Sequence, residues 1–159
     1  MFTNNKLCSD SSRFSKVTMA LLSSARWVEE RKVDTSKYEY ILKSEGYPVH
    51  SSVISFLKSF GGLRVIHPHY QLPQKNDEFC FDPAVAVENI FPERVFEEYG
   101  QRVGTLLCVI GTAFGDYMTL LMDAEGRVYA GYDELILRIG DSGNDAIEAL
   151  CSGKSFPKI

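Results

Sequence analysis

The 159-residue chain has little of what usually announces chemistry. Its four cysteines, Cys8, Cys80, Cys108 and Cys151, stand far apart and form no CxxC pair, so none offers the close ligand spacing of a zinc site. No serine or cysteine sits in a GxSxG elbow, which leaves no frame for a nucleophile beside a base and an oxyanion donor. No apolar run approaches the ~20 residues a membrane-spanning helix needs. The opening MFTNNKLCSDSS lacks the apolar core of a secretory signal, and a cytoplasmic protein with reduced thiols is expected. Internal repeats and domain-dividing linkers are absent too.

What is present is a core-building composition: 45% hydrophobic, 24% charged. A chain of this size buries roughly 70% of its unfolded surface and needs no staples. One domain over 13–153 is expected, with flexible tails at 1–12 and 154–159.

Charge is unevenly divided. Residues 1–76 carry eleven Lys/Arg and six Asp/Glu, a balance of +5; residues 77–159 carry six and fifteen, a balance of −9. Together they give the net −4. With a pI of about 5.4, non-specific nucleic-acid binding is disfavoured, because it needs many Lys/Arg contacts to phosphates. An acidic surface instead attracts basic proteins.

Phe14, Val17, Leu21 and Leu22 recur at helical spacing, giving a helix over 13–25 with Ser12 as its cap. Ser36 and Glu39 stand in capping-box spacing before a second helix that stops at Gly46. A third helix spans 51–60 and ends at Gly61-Gly62. Strands are expected over 63–67 and 79–81, the second closed by Asp82-Pro83, with a polar loop between them. Residues 84–91 are ambiguous. Pro92 suits the first turn of a helix with Val95, Phe96, Tyr99 and Val103 on one face. Runs 105–110, 117–122, 127–132 and 135–139 are β-prone, and short turns between the first three exclude parallel crossovers there. Asp141-Ser142 opens a last helix that Gly153 stops. The class is α+β: N-terminal helices and a closing C-terminal helix packed on a mainly antiparallel sheet.

Several residues have a plain structural reading. His67, His69, Asp77, Glu78, Cys80 and Asp82 are close in sequence but lack a second ligand pair, so no metal or other cofactor is assigned. Gly111–Gly115 leads from strand to strand, whereas phosphate cradles need a helix N-terminus after the glycines, so it reads as a hairpin loop. Trp27, the lone tryptophan, reads as a packing anchor. Arg31 and Asp34 are spaced to pair. Cys80 and Cys108 read as buried small hydrophobes, and Cys8 as exposed and inert.

The functional reading falls on the acids. Asp77, Glu78, Asp82, Asp116, Asp133 and Glu134, with Tyr117, are the candidate partner-binding residues. The interleaved Phe91, Tyr99, Phe114, Tyr117 and Tyr132 supply candidate aromatic anchors, the residues that carry most binding energy in interfaces, and some of the five must instead be core. No catalytic residues are assigned, and a binding protein is expected rather than an enzyme.

The chain also resembles the third subgroup of the SUKH superfamily. The resemblance rests on an ordered set. Arg13-Phe14, Trp27, Arg31 and Val33-Asp34-Thr35 come first. Glu45-Gly46-Tyr47-Pro48-Val49-His50, Phe56-Leu57, Phe60-Gly61-Gly62-Leu63 and Phe81-Asp82-Pro83 follow. Leu121-Met122-Asp123, Gly126-Arg127-Val128-Tyr129 and Ile139-Gly140-Asp141 close it. It implies a bacterial immunity protein, a monomer or weak homodimer, that binds and neutralises a cognate toxin, many such toxins being nucleases and hence basic; a protein-binding regulator or scaffold is the alternative. It also implies structural roles for Trp27, for Gly61 and Gly62 at a helix-to-strand turn, and for Asp82-Pro83 at a strand end. It carries no catalytic residue. One departure is Arg26, which stands where glycine is more usual.

Overall fold

The computed structural model describes residues 13–153 and 155–159. Six antiparallel strands pair in chain order: β1 Arg64–Pro68, β2 Asn76–Cys80, β3 Cys108–Ala113, β4 Met118–Met122, β5 Val128–Tyr132 and β6 Leu135–Gly140. Helices α1 (Lys16–Ser24), α2 (Ser36–Ser44) and α3 (Ser51–Phe60) precede the sheet. Between β2 and β3 come α4 (Pro83–Asn89) and α5, which is π-wound over Arg94–Tyr99 and α-helical over Gly100–Val103. Helix α6 (Gly143–Ser152) follows β6. The architecture is α+β, as the change of hydrophobic period implies.

Strands β3 and β4 are buried at every residue, so both faces of the sheet's middle are covered. Strand β1 alternates exposed and buried residues, the pattern of a strand with one solvated face. Helix α4 packs on β3 and β4, α2 on α4, α1 on α6 and α6 on β6. An aromatic cluster holds the N-terminal helices to this frame. The Trp27 ring stacks on Phe60 at 5.4 Å and meets Phe14 edge-on at 5.8 Å. Its indole N–H donates to Ser59 O, and the Arg13 guanidinium lies 5.4 Å from its ring centre. Trp27 is therefore a buried anchor.

The helix caps differ in detail from those expected. Ser12 lies outside the described residues; the cap of α1 is Ser15, whose Oγ accepts from Thr18 N. At α2 the Ser36–Glu39 box does not form. The cap is Thr35, whose hydroxyl donates to Glu39 Oε2 at 2.7 Å. Ser36 gives its N–H and hydroxyl to Asp34 Oδ1, and these bonds lower the Asp34 pKa. Asp34 so engaged does not pair with Arg31, which donates to Ser59 O and Gly61 O.

At the end of α3, only Gly62 takes a left-handed φ (+79°); Gly61 does not. Gly61 is required for closeness instead, since a Cβ there would lie 2.6 Å from Leu57 O. Gly111 is not in a loop. It is buried inside β3, where a Cβ would lie 2.1 Å from Cys80 O, and the turn that follows begins only at Phe114. Residues 84–91, ambiguous in sequence, are largely α4: Asp82 Oδ1 accepts from Ala84 N and Pro83 occupies the first turn. The pair read as a strand end is thus also a helix start.

Cys108 is buried, and burial pushes its thiol up to about 12; Cys80 is only half-buried and its thiol is raised by the same cause. Cys8 lies outside the described residues. Residues 155–159, read in sequence as part of a tail, run along β6: Arg138 N donates to Pro157 O and Ile159 N to Ile136 O.

Candidate partner-binding groove

A surface depression of about 950 Å³ lies where α4 and α5 meet the β3–β4 and β5–β6 turns. Helix α4 ends at Asn89, and Ile90 is extended, which projects Phe91 into solvent before Pro92 restarts helical winding. Phe91 is 80% exposed. Tyr117 and Tyr132, 69% and 43% exposed, meet edge-to-face at 5.6 Å and form another wall of the groove. It is their gathering into one patch that is informative, since apolar residues exposed singly, such as Tyr40, are ordinary.

The charged lining is Glu45, Glu88, Asp116 and Asp133 against Arg94. Arg94 Nη1 is shielded from solvent, with no hydrogen-bond acceptor, and lies 3.6 Å from Glu98 Oε2. The neighbouring Tyr99 hydroxyl is the first cause of its raised pKa. Tyr99 itself is fully buried beneath the groove, and burial raises its own pKa. Among the described residues, the carboxylates of Asp116 and Asp133 take part in no hydrogen bond or salt bridge. Among the described residues the lining contains no histidine, cysteine or serine. It offers anions and aromatic faces, the equipment of recognition.

The turns that bear these acids are tied from behind, through their backbones. Asn89 Nδ2 donates to Asp116 O at 3.0 Å and to Thr119 Oγ1 at 3.1 Å. The Tyr99 hydroxyl donates to Asp133 O at 2.7 Å. Arg102 donates to Glu134 O and to Ile159 O. Asp133 has φ +50°, a conformation Asp tolerates better than most residues, and the Tyr99 bond holds it there.

Of the sequence candidates, Asp116, Tyr117 and Asp133 are brought together here, and Glu134 stands next to Asp133 on the same turn. The other three are placed elsewhere. Asp77 faces His67 across β1–β2, and its Oδ1 accepts from Glu78 N. Glu78 is 3.7 Å from Arg64. Asp82 caps α4. Among the aromatics, Phe91, Tyr117 and Tyr132 face the groove, Tyr99 is interior, and Phe114 packs on Phe156 at 6.5 Å. Sequence reasoning missed Glu45, from the basic half, and Glu88, Asn89 and Arg94. Only the topology that folds α4–α5 over the turns brings them in.

Sequence also overstated the free negative charge. Of the fifteen acids in 77–159, seven are engaged. Asp77 and Asp82 accept from backbone amides. Glu78, Glu98, Asp123 and Asp141 pair with arginines. Glu148 accepts from Ser15 and Thr18. His67 is buried with Nδ1 2.9 Å from Pro68 O, while His69 Nδ1 accepts from Gln71 N and Leu72 N. Among the described residues no group of three or more His, Cys, Asp or Glu could hold a metal ion, and no helix is long and apolar enough to cross a membrane.

The fold is a helix-flanked antiparallel meander with an anionic, aromatic groove at its turns. Comparison with protein families makes this specific: the model of the SUKH-3 immunity protein family matches residues 14–153. The chain belongs to that family. No curated protein and no solved structure matches it.

Proposed function

We propose that this chain is an immunity protein that binds a cognate bacterial toxin domain and neutralises it by covering its working surface. The family supports the role. The observation that carries the mechanism is the joining, in one groove, of unpaired carboxylates and exposed aromatic rings. Anionic groups steer a cationic partner and raise its association rate by about 10–1000-fold, an effect that fades with salt. Aromatic anchors then supply most of the affinity. A nuclease is the toxin class best matched, because its substrate-binding cleft must be basic to hold phosphates, and an acidic protein seated there denies them those charges.

The direct test is co-expression with a candidate toxin domain, scored by cell survival and co-purification. Survival together with a stable complex is expected, and the association rate should fall steeply between low and molar salt. A complex whose association rate ignores salt would remove the electrostatic mechanism. Co-purification of some other protein without any protection would favour the regulator reading.

A further inference from the structure

We infer that the groove between α4–α5 and the β3–β4 and β5–β6 turns is the partner-docking surface, and that it takes an arginine-bearing loop of the partner protein. The identity of that partner as a toxin rests on the immunity reading above; the chemistry of the occupant rests on the groove.

Charge decides the sign of the occupant. Four carboxylates line the groove against one arginine, which Glu98 already approaches at 3.6 Å. Among the described residues no lysine or histidine lines it. An acidic or neutral loop would leave the carboxylates desolvated and uncompensated, which is costly. Ring chemistry decides the kind of cation. A planar guanidinium stacks on aromatic faces and forks onto carboxylates, whereas an ammonium is a compact, strongly hydrated point charge. Phe91, Tyr117 and Tyr132 offer the faces, and Asp116 and Asp133 the anions.

Size and stiffness agree. A groove of about 950 Å³ holds several side chains rather than one ion. The backbone ties from Asn89, Tyr99 and Arg102 fix the turns before binding, so little conformational freedom remains to be lost on association.

The test uses the full chain and two probes. The first is a set of short labelled peptides alternating glycine with arginine, lysine or glutamate, followed by amide chemical shifts and fluorescence anisotropy. The arginine peptide should shift the amides of Phe91, Asp116, Tyr117, Tyr132 and Asp133. It should bind a few-fold more tightly than the lysine peptide, and the glutamate peptide should not bind. Tyr117→Ala and Asp116→Asn should each weaken it several-fold. Both residues are exposed, so an unchanged thermal midpoint separates lost contact from lost fold. Shifts spread over the whole surface, or equal affinity for arginine and lysine that Tyr117→Ala leaves unaltered, overturn the inference.

The second probe is the toxin domain that the co-expression test identifies. The double variant Phe91→Ala, Tyr117→Ala should bind it at least about thirtyfold more weakly. If wild type and double variant protect and bind alike, the groove is not the docking surface while the immunity role stands. If the arginine peptide occupies the groove but wild type gives no protection, the groove inference stands and the immunity role falls.

Discussion

Helices α1 and α2 end on the same pattern of hydrogen bonds and differ in the residue that turns the corner. After α1, Arg26 N donates to Ser23 O and Trp27 N to Leu22 O; after α2, Gly46 N donates to Lys43 O and Tyr47 N to Leu42 O. Both are Schellman endings, each followed by a buried aromatic residue. The corner residue must take a left-handed backbone, with φ +71° at Arg26 and +89° at Gly46. Glycine does this freely, whereas a residue with a Cβ is strained there by about 1–2 kcal/mol. The Arg26 side chain is exposed and makes no hydrogen bond or salt bridge among the described residues.

Arg26→Gly should therefore relieve about 1–2 kcal/mol of strain while adding about 0.4–1 kcal/mol of unfolded-state entropy. The net expectation is a stabilisation of about 0.5–1 kcal/mol, or an increase of about 1–4 °C in Tm for a chain of this length. Urea unfolding of wild type, Arg26→Gly and Arg26→Ala reads this directly. Alanine keeps the Cβ and should give little gain. Gly46→Ala is the mirror experiment: a Cβ there meets nothing within 4 Å, so any loss is backbone strain rather than collision, and about 1 kcal/mol of destabilisation is expected. If Arg26→Gly is neutral or destabilising while Gly46→Ala destabilises as expected, the two corners are not equivalent and the reasoning fails.

The remaining expectations concern the anchor, the buried thiols and the rim. Trp27→Ala removes a fully packed ring and should cost about 3–5 kcal/mol, read as a lowered denaturant midpoint; a loss below about 1 kcal/mol would mean the aromatic cluster closes over the gap. Burial holds the thiols of Cys108 and Cys151 up to about 12, against about 8.5 in an unfolded chain. The folded state favours the protonated thiol, so this stability is complete below about pH 8.5 and is lost as pH rises from there towards 12. Under reducing conditions the urea midpoint should fall between pH 8 and 11, and fall less in Cys108→Ala; a midpoint flat across that range contradicts the assignment. Asp116→Lys should change stability by no more than about 0.5 kcal/mol, because the bond from Asn89 goes to the backbone at that position, while the affinity for an arginine peptide drops.

Where evidence was local, the sequence was a sound guide. Helix α3 begins and ends at the expected residues, Ser51 and Phe60, and Ser142 and Gly153 cap α6 as the serine and glycine indicate. The misreadings have a common physical origin in contacts made by distant parts of the chain. Gly111 looks like loop punctuation because its reason for being glycine, the approach of the Cys80 carbonyl on β2, lies about thirty residues away. Strand β3 starts at Cys108 rather than Thr105, and the apolar run by itself cannot set that boundary. The groove was half legible. Three of the five candidate aromatics and the turn acids carry over to the groove, but Asp77, Glu78 and Asp82 do not, because a backbone amide, an arginine and a helix cap take their carboxylates. A charge count cannot see that, and the +5/−9 division of the sequence overstates the field that a partner meets.

The way the rim is held bears on what the domain can do. Asp116, Asp133 and Glu134 stand on turns, and the groups that fix those turns, Asn89, Tyr99 and Arg102, all bond to main-chain carbonyls. A carbonyl is present whatever side chain the residue carries, so each support is indifferent to the identity of the residue it positions. The sheet beneath is largely insulated, since β3 and β4 are buried at every residue, and among the described residues its one side-chain tie to these supports is Thr119 Oγ1, which accepts from Asn89. The side chain at Asp116 can then be exchanged without the core or its support registering the change, whereas Asp133, at φ +50°, accepts fewer replacements. A site whose acids were locked to arginines, as Asp123 is to Arg127 at 2.8 Å, could not be altered so cheaply, because each replacement would leave a charge without its mate.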